Sequence, residues 1–264
     1  MTPPNHDAAF ARRVIFRPRG FGQLHRRGTE SARTVETDDL VKTRIAIKTA
    51  WKQQGLVALI GEPGLGKTLA AGTAIAQLGL LPCYAHIPPR PKDKEFEEAL
   101  LDAVTDGAYD TRNTRATERR DLAQVGRTHE FVFTLDDIER AEGYGIELVR
   151  YVWDQAANRV TYVLAGNHLD RFLAANPALD SRVARYVHFS PWTVGQAKLY
   201  LPQYHDLFAR ATPAVIEYAF REFAHGFFRN WARLLEALLA NLKRPDQPLT
   251  RSLVDEAISL INQE

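Results

Sequence analysis

Cysteine is nearly absent from this chain: Cys83 is the single one in 264 residues. One thiol can build neither an intrachain disulfide framework nor a cysteine-based metal site. Long apolar runs are missing too. The longest, such as 56–61 (LVALIG), are strand-sized and fall far short of the ~18 residues a membrane span needs. No membrane partner is expected, and the cytoplasm is the expected compartment. The opening MTPPNHDAAFARR has no apolar stretch after its basic residues, so no secretory signal is expected. The eight histidines are scattered, and none pairs at i, i+4 around a glutamate, which removes the usual zinc-hydrolase signature. Charge of one sign is also lacking. A net +2 is too mild to argue for nucleic acid by itself.

What remains is the composition of an ordinary globular protein, 45% hydrophobic and 25% charged. Arginine outnumbers lysine, and Arg12, Arg13, Arg17, Arg19, Arg26, Arg27 and Arg33 crowd the first 35 residues among several prolines and glycines. This stretch reads as a mostly irregular basic arm. An amphipathic helix from Thr37 to Gly55 follows. Strand-like and helix-like runs then alternate. Strands are expected at 56–61, 83–87, 131–136, 160–166 and 186–189. Helices are expected after Thr68 and over 93–106, 116–126 and 144–158. Such alternation implies right-handed crossovers and a parallel sheet with helices on both faces. After Pro191 the pattern is wholly helical, over 193–209, 213–225, 228–242 and 250–262. The chain therefore divides into a basic arm (1–35), an α/β core (36–190) and a helical part (191–264).

Residues 61–68, GEPGLGKT, complete a G-x-x-x-x-G-K-T pattern between a strand and a helix. Glycines at 61, 64 and 66 let successive backbone N–H groups face a phosphate. The helix N-terminus adds partial positive charge. Lys67 is placed to neutralise β- and γ-phosphates and the Thr68 hydroxyl to ligate Mg²⁺. Glu62, Pro63, Leu65 and Leu69 complete the nucleotide-binding run, and ATP with Mg²⁺ is the expected cofactor pair. Residues 131–137, FVFTLDD, form an apolar strand ending in two carboxylates, the shape of a Walker B segment. Asp136 is placed to hold Mg²⁺ and Asp137 to polarise the attacking water.

Together the phosphate loop, the Walker B strand, the VTYVLAGN strand (160–167) and the helical tail resemble an AAA+ ATPase. Within that superfamily, TLDDIERAE (134–142), YVLAGNHLDRFL (162–173) and ALDSRVARYVHFSPW (178–192) resemble the TnsC, TniB and Mu B transposition regulators. The resemblance implies an AAA+ P-loop NTPase fold with a parallel five-stranded sheet and a small C-terminal helical lid. It makes Asn167 sensor 1, Arg182 first and Arg185 second the finger that crosses to the neighbouring subunit, and Arg229 sensor 2. The family usually has Asp-Glu where this chain has Asp136-Asp137, so slow hydrolysis is expected, and Glu139 lies beyond the strand end. In the resembled regulators two loops touch the DNA backbone; here they would offer Arg90, Lys92, Arg112, Thr114 and Arg115 as sequence-independent contacts. The implied function is a bacterial, ATP-dependent, self-assembling regulator on DNA that recruits or activates a transposase for target-site selection. Helicase loading, or an ATP-gated protein-interaction switch with no DNA role, are the alternatives.

Overall fold

The five apolar runs become the strands of one sheet, with order β2-β3-β4-β1-β5 and every neighbouring pair parallel. The strands are β1 (Leu56–Ile60), β2 (Pro82–His86), β3 (Phe131–Asp136), β4 (Val160–Gly166) and β5 (Val183–His188). The computed structural model describes residues 10, 14–21, 31–110, 112–141, 143–156, 159–242, 244 and 246–263. β1 and β4 are buried throughout, and β3 everywhere but at Asp136. That burial on both faces explains their predominantly apolar sequences. α1 (Asp38–Gln53) precedes β1, and between the strands run α2 (Lys67–Gln77), α3 (Asp93–Thr105), α4 (Arg115–Thr128), α5 (Gly143–Gln155), α6 (Leu169–Ala174) and α7 (Pro177–Asp180). A 3₁₀ turn, Ile138–Arg140, follows β3.

Two expectations need correcting here. The last strand begins at Val183 rather than 186, so Arg185 lies on it and Arg182 just precedes it. β5 pairs only with β1. An edge strand can carry exposed polar residues, so its sequence lacks the apolar signature of a central strand. The short helices α6 and α7 were also not expected.

Contacts divide the chain into two compact units. The sheet unit takes in 14–21, 39–61 and 68–188; the second takes in 31–38, 62–67 and the region from 189 onward. In the sheet unit, the segment 14–21 has no regular secondary structure but is tied down. Arg17 and Arg19 donate backbone N–H groups to the carbonyls of Val104 and Ala103, and Tyr84 N–H donates to Arg19 O at 2.8 Å. Val14 is buried, and Phe16 packs on Phe131. The segment thereby occupies one backbone group, the Tyr84 N–H, that edge strand β2 would otherwise leave open. Arg19 is paired with Asp106. Arg12, Arg13, Arg26 and Arg27 lie outside the described residues.

The second unit holds α8 (Val194–Tyr204), α9 (Asp206–Ala209), α10 (Pro213–Ala219), a π turn (Phe220–Ala224), α11 (Phe228–Asn241) and α12 (Arg251–Ile261). Its core is built around Trp231, Leu234, Leu235, Phe208 and Leu201, all fully buried. The single helix expected over 193–209 breaks at His205. There the extended backbone lets the ring Nδ1 accept the Leu207 N–H at 3.0 Å, a local cap. Gly226 is required by both conformation and space: its φ is +83, and a Cβ would lie 2.3 Å from Trp192 O.

Between α3 and α4 the sheet unit buries two carboxylates, Glu97 and Glu118. Arg115 reaches Glu97 at 3.3 Å and Asp93 at 3.1 Å, with its guanidinium 4.2 Å from the Tyr144 ring centroid. Burial pushes the Glu97 carboxyl up to about 7, against a partial opposing pull from Arg115. Burial raises Glu118 as well. The folded state therefore keeps a proton on Glu97 that the unfolded chain releases near pH 4.5. Stability is fullest below that pH and falls as pH rises towards 7, by roughly 3 kcal/mol for a shift of this size. Thermal unfolding should show a midpoint about 5 °C lower at pH 7.5 than at pH 5 from this pair. Glu97→Gln, which removes the titrating group at nearly constant size, should flatten that dependence. An unchanged slope in the variant would exclude the pair as its source.

Candidate nucleotide site

Parallel sheets bind ligands at the carboxyl ends of their strands, and the motif residues gather there. Ile60 is level with Gly166, and Asp136 with Ala165 and His86. The phosphate loop leaves β1 with Gly61 N–H donating to Gly166 O at 3.2 Å. Gly64 and Gly66 have φ of +92 and +95, values that side chains rarely adopt. Lys67 is buried, with its ammonium donating to Glu62 O at 3.0 Å. The first turn of α2 contains no acidic residue, so its positive end is not neutralised from within. Leu65 is buried as part of the loop's apolar support.

Thr68 and Asp136 meet. The Thr68 hydroxyl donates to Asp136 Oδ2 at 2.8 Å, and the Tyr84 hydroxyl donates to the same oxygen at 3.0 Å. Tyr84 was not singled out in the sequence, although its alternation with His86 on β2 places it on the same side. Burial raises its hydroxyl pKa, and the Asp136 charge raises it further, so it stays a donor. One hydroxyl and one carboxylate oxygen, side by side, suit a magnesium ion that draws its other ligands from water and phosphate. Among the described residues no group of three or more His, Cys, Asp or Glu side chains forms a self-sufficient metal cage.

Asp137 is placed differently. Its backbone is left-handed, with φ 58, and its carboxylate lies 2.9 Å from Arg140 and 3.7 Å from His86. Arg140 also donates to Ile87 O at 2.9 Å. The acid expected to polarise water is thus held on the β2 side. The neighbouring Glu139 instead turns towards β4, and its Oε1 accepts the Asn167 backbone N–H at 2.7 Å. Asn167 follows β4 directly, with its side-chain nitrogen 3.3 Å from His168 Nε2.

The two arginines before and on β5 differ in freedom. Arg182 bonds Asp154 at 3.0 Å, contacts the Ala178 carbonyl and lies 5.1 Å from the Trp153 ring centroid. Arg185 is exposed, with a bond to the adjacent Ala184 carbonyl. Arg229 stands in the first turn of α11, and its N–H donates to Gly64 O at 2.9 Å. Its side chain lies so close that a Cβ on Gly64 would be 3.2 Å from Arg229 Cβ. Leu69 occupies the first turn of α2.

The five basic-loop candidates do not form one free patch. Arg90 and Lys92 are exposed, and no side-chain partner is found for either among the described residues. Arg112 forms a bidentate pair with Asp110 at 2.9 Å. Thr114 caps α4, and Arg115 is tied to Glu97 and Asp93.

Comparison with known proteins gives likeness of structure only. No protein-family model matches the chain, and no curated protein matches it. Solved structures do. The Thermotoga maritima RuvB Holliday junction branch migration motor is similar at TM-score 0.60 and 16% identity, covering 87% of this chain and 71% of that one. Aeropyrum pernix ORC2, in ADPNP–ADP complexes, gives TM-score 0.66 and 15% identity over 93% of this chain and 72% of that one. Aeropyrum pernix ORC1 in complex with DNA gives 0.58 and 18%, over 87% of this chain and 66% of that one. No helix of the described residues is long and apolar enough to cross a membrane. With its strand order, its phosphate loop after β1 and its paired Thr68 and Asp136, the chain has the fold of an AAA+ P-loop NTPase.

Proposed function

We propose that this chain is an ATPase that binds Mg·ATP at residues 61–69 and acts on DNA as an assembly of copies of itself. The observation that carries the proposal is the 2.8 Å bond between Thr68 and Asp136, at the strand ends that hold the phosphate loop. Magnesium, when bound there, supplies positive charge to the phosphate oxygens. Lys67 adds a second positive charge, the loop's N–H groups orient the phosphates, and Asn167 stands at the end of β4 as a neutral donor. Arg229, against Gly64, is the candidate for reaching the phosphates from its own subunit.

RuvB is named as a branch migration motor and ORC1 was solved with DNA; both support a DNA role for the same fold. The finer proposal is a transposition regulator that recruits or activates a transposase for target-site selection. It rests on the resemblance of residues 134–142, 162–173 and 178–192 alone. A second reading, an ATP-gated interaction switch with little hydrolysis, is favoured by the hold of Arg140 and His86 on Asp137.

The exposed Arg90 and Lys92 are the proposed backbone contacts. Alanine at either should weaken binding about equally across DNA sequences and lower the slope of log affinity against log salt by about one. Arg112→Ala and Arg115→Ala should change the slope little, because those guanidinium groups are paired within the chain. Fluorescence anisotropy over a salt series with ATP present measures all four. Equal slopes for wild type, Arg90→Ala and Lys92→Ala would remove these loops from the DNA face.

A further inference from the structure

We propose that Glu139 is a positioning residue for nucleotide hydrolysis: its carboxylate fixes the end of β4, and so Asn167, against the phosphate loop. The inference rests on the ATPase reading above. Ile138 is buried and anchors the 3₁₀ turn after β3. The left-handed backbone at Asp137 reverses the chain so that successive side chains of the turn reach opposite ways. Arg140 ties the turn to the end of β2 through Ile87 O, and Glu139 ties it to the end of β4 through Asn167 N–H. The turn thus bridges the strands on either side of β3.

Gly166 is shaped for this contact. A Cβ there would lie 1.8 Å from Glu139 Oε2 and 2.6 Å from its carboxyl carbon, so no other residue fits while the carboxylate is in place. Gly166 also accepts the Gly61 N–H that opens the phosphate loop. A single strand end therefore holds the carboxylate, the loop's first residue and Asn167. A buried carboxylate oxygen without a partner among the described residues, as Glu139 Oε2 is, costs stability. The arrangement retains that cost and gains a charge-assisted bond at the strand end.

Misplacing a catalytic donor by about 1 Å can cost ~100-fold in rate. Glu139→Ala, and Gly166→Ala, which evicts the carboxylate, should each lower kcat by tenfold to a hundredfold while the KM for ATP stays within about threefold. Glu139→Gln keeps an oxygen acceptor for Asn167 and should remain within about threefold of wild-type kcat. Amide hydrogen exchange at Asn167, in nucleotide-free protein, should be slow in wild type and Glu139→Gln and at least tenfold faster in Glu139→Ala. A Glu139→Ala protein with wild-type kcat or an unchanged Asn167 exchange rate overturns the proposal. So does a Glu139→Gln protein as slow as the alanine variant, since the charge itself would then be acting. Absence of turnover in wild type is a different failure, that of the ATPase reading, and the Asn167 exchange rates still decide whether Glu139 holds the strand end.

Discussion

Replacing Lys67 with alanine is expected to weaken ATP binding by at least about a hundredfold, near 2.7 kcal/mol. Lys67 is buried in the loop, where its charge is poorly screened from a bound phosphate. Its ammonium already donates to Glu62 O, across the loop it follows, so the phosphates would meet a charge held in position. The glycine backbone and the start of α2 would remain in the variant and bind phosphate weakly. Equilibrium titration with ATP, alongside a melting curve to show that the variant is folded, reads the effect directly. Unchanged affinity in a folded variant would mean that the loop is a structural turn.

The second large effect belongs to Asp136. Asp136→Asn keeps the size of the side chain and an acceptor for Thr68 and Tyr84, but loses the charge that suits a divalent cation. Mg²⁺-dependent turnover should fall about a hundredfold to a thousandfold. Asp137→Asn should cost less than about tenfold, because its carboxylate is directed to Arg140 and His86. In the same assay Arg185→Ala should slow turnover of the assembled protein more than Arg182→Ala does. Arg182 would have to leave Asp154 and Trp153 before it could reach a neighbour. A steady-state phosphate-release assay with a magnesium titration separates these variants. Greater damage from Asp137→Asn than from Asp136→Asn would reverse the assigned roles.

The sheet was legible because burial on two faces favours predominantly apolar strands, and residues 56–60, 131–136 and 160–166 have them. The glycine loop between β1 and α2 was legible because its motif sets glycines and a lysine at fixed spacing, a pattern local in sequence. Contacts between distant segments were not. Nothing in the run LDDIER distinguishes an Asp137 turned towards β2 from one turned towards β4. That depends on the left-handed backbone at Asp137 and the gap left by Gly166. Nor does the sequence tell a solvated arginine from one spent inside the molecule. Arg115 reads as a loop cation, and only the packing of α3 on α4 brings Glu97 to it. β5 was placed three residues late for a related reason: an edge strand need not be apolar to pair.

On the proposed function, ATP bound at this loop would control association with DNA. The most direct test is the affinity of the wild-type chain for one duplex, measured at fixed salt with Mg²⁺ and a slowly hydrolysed ATP analogue, then with Mg²⁺ alone. Binding should be at least about tenfold tighter with the nucleotide, a gain of about 1.4 kcal/mol, lost in Lys67→Ala. Equal affinity in both conditions, or a gain that survives Lys67→Ala, would contradict it.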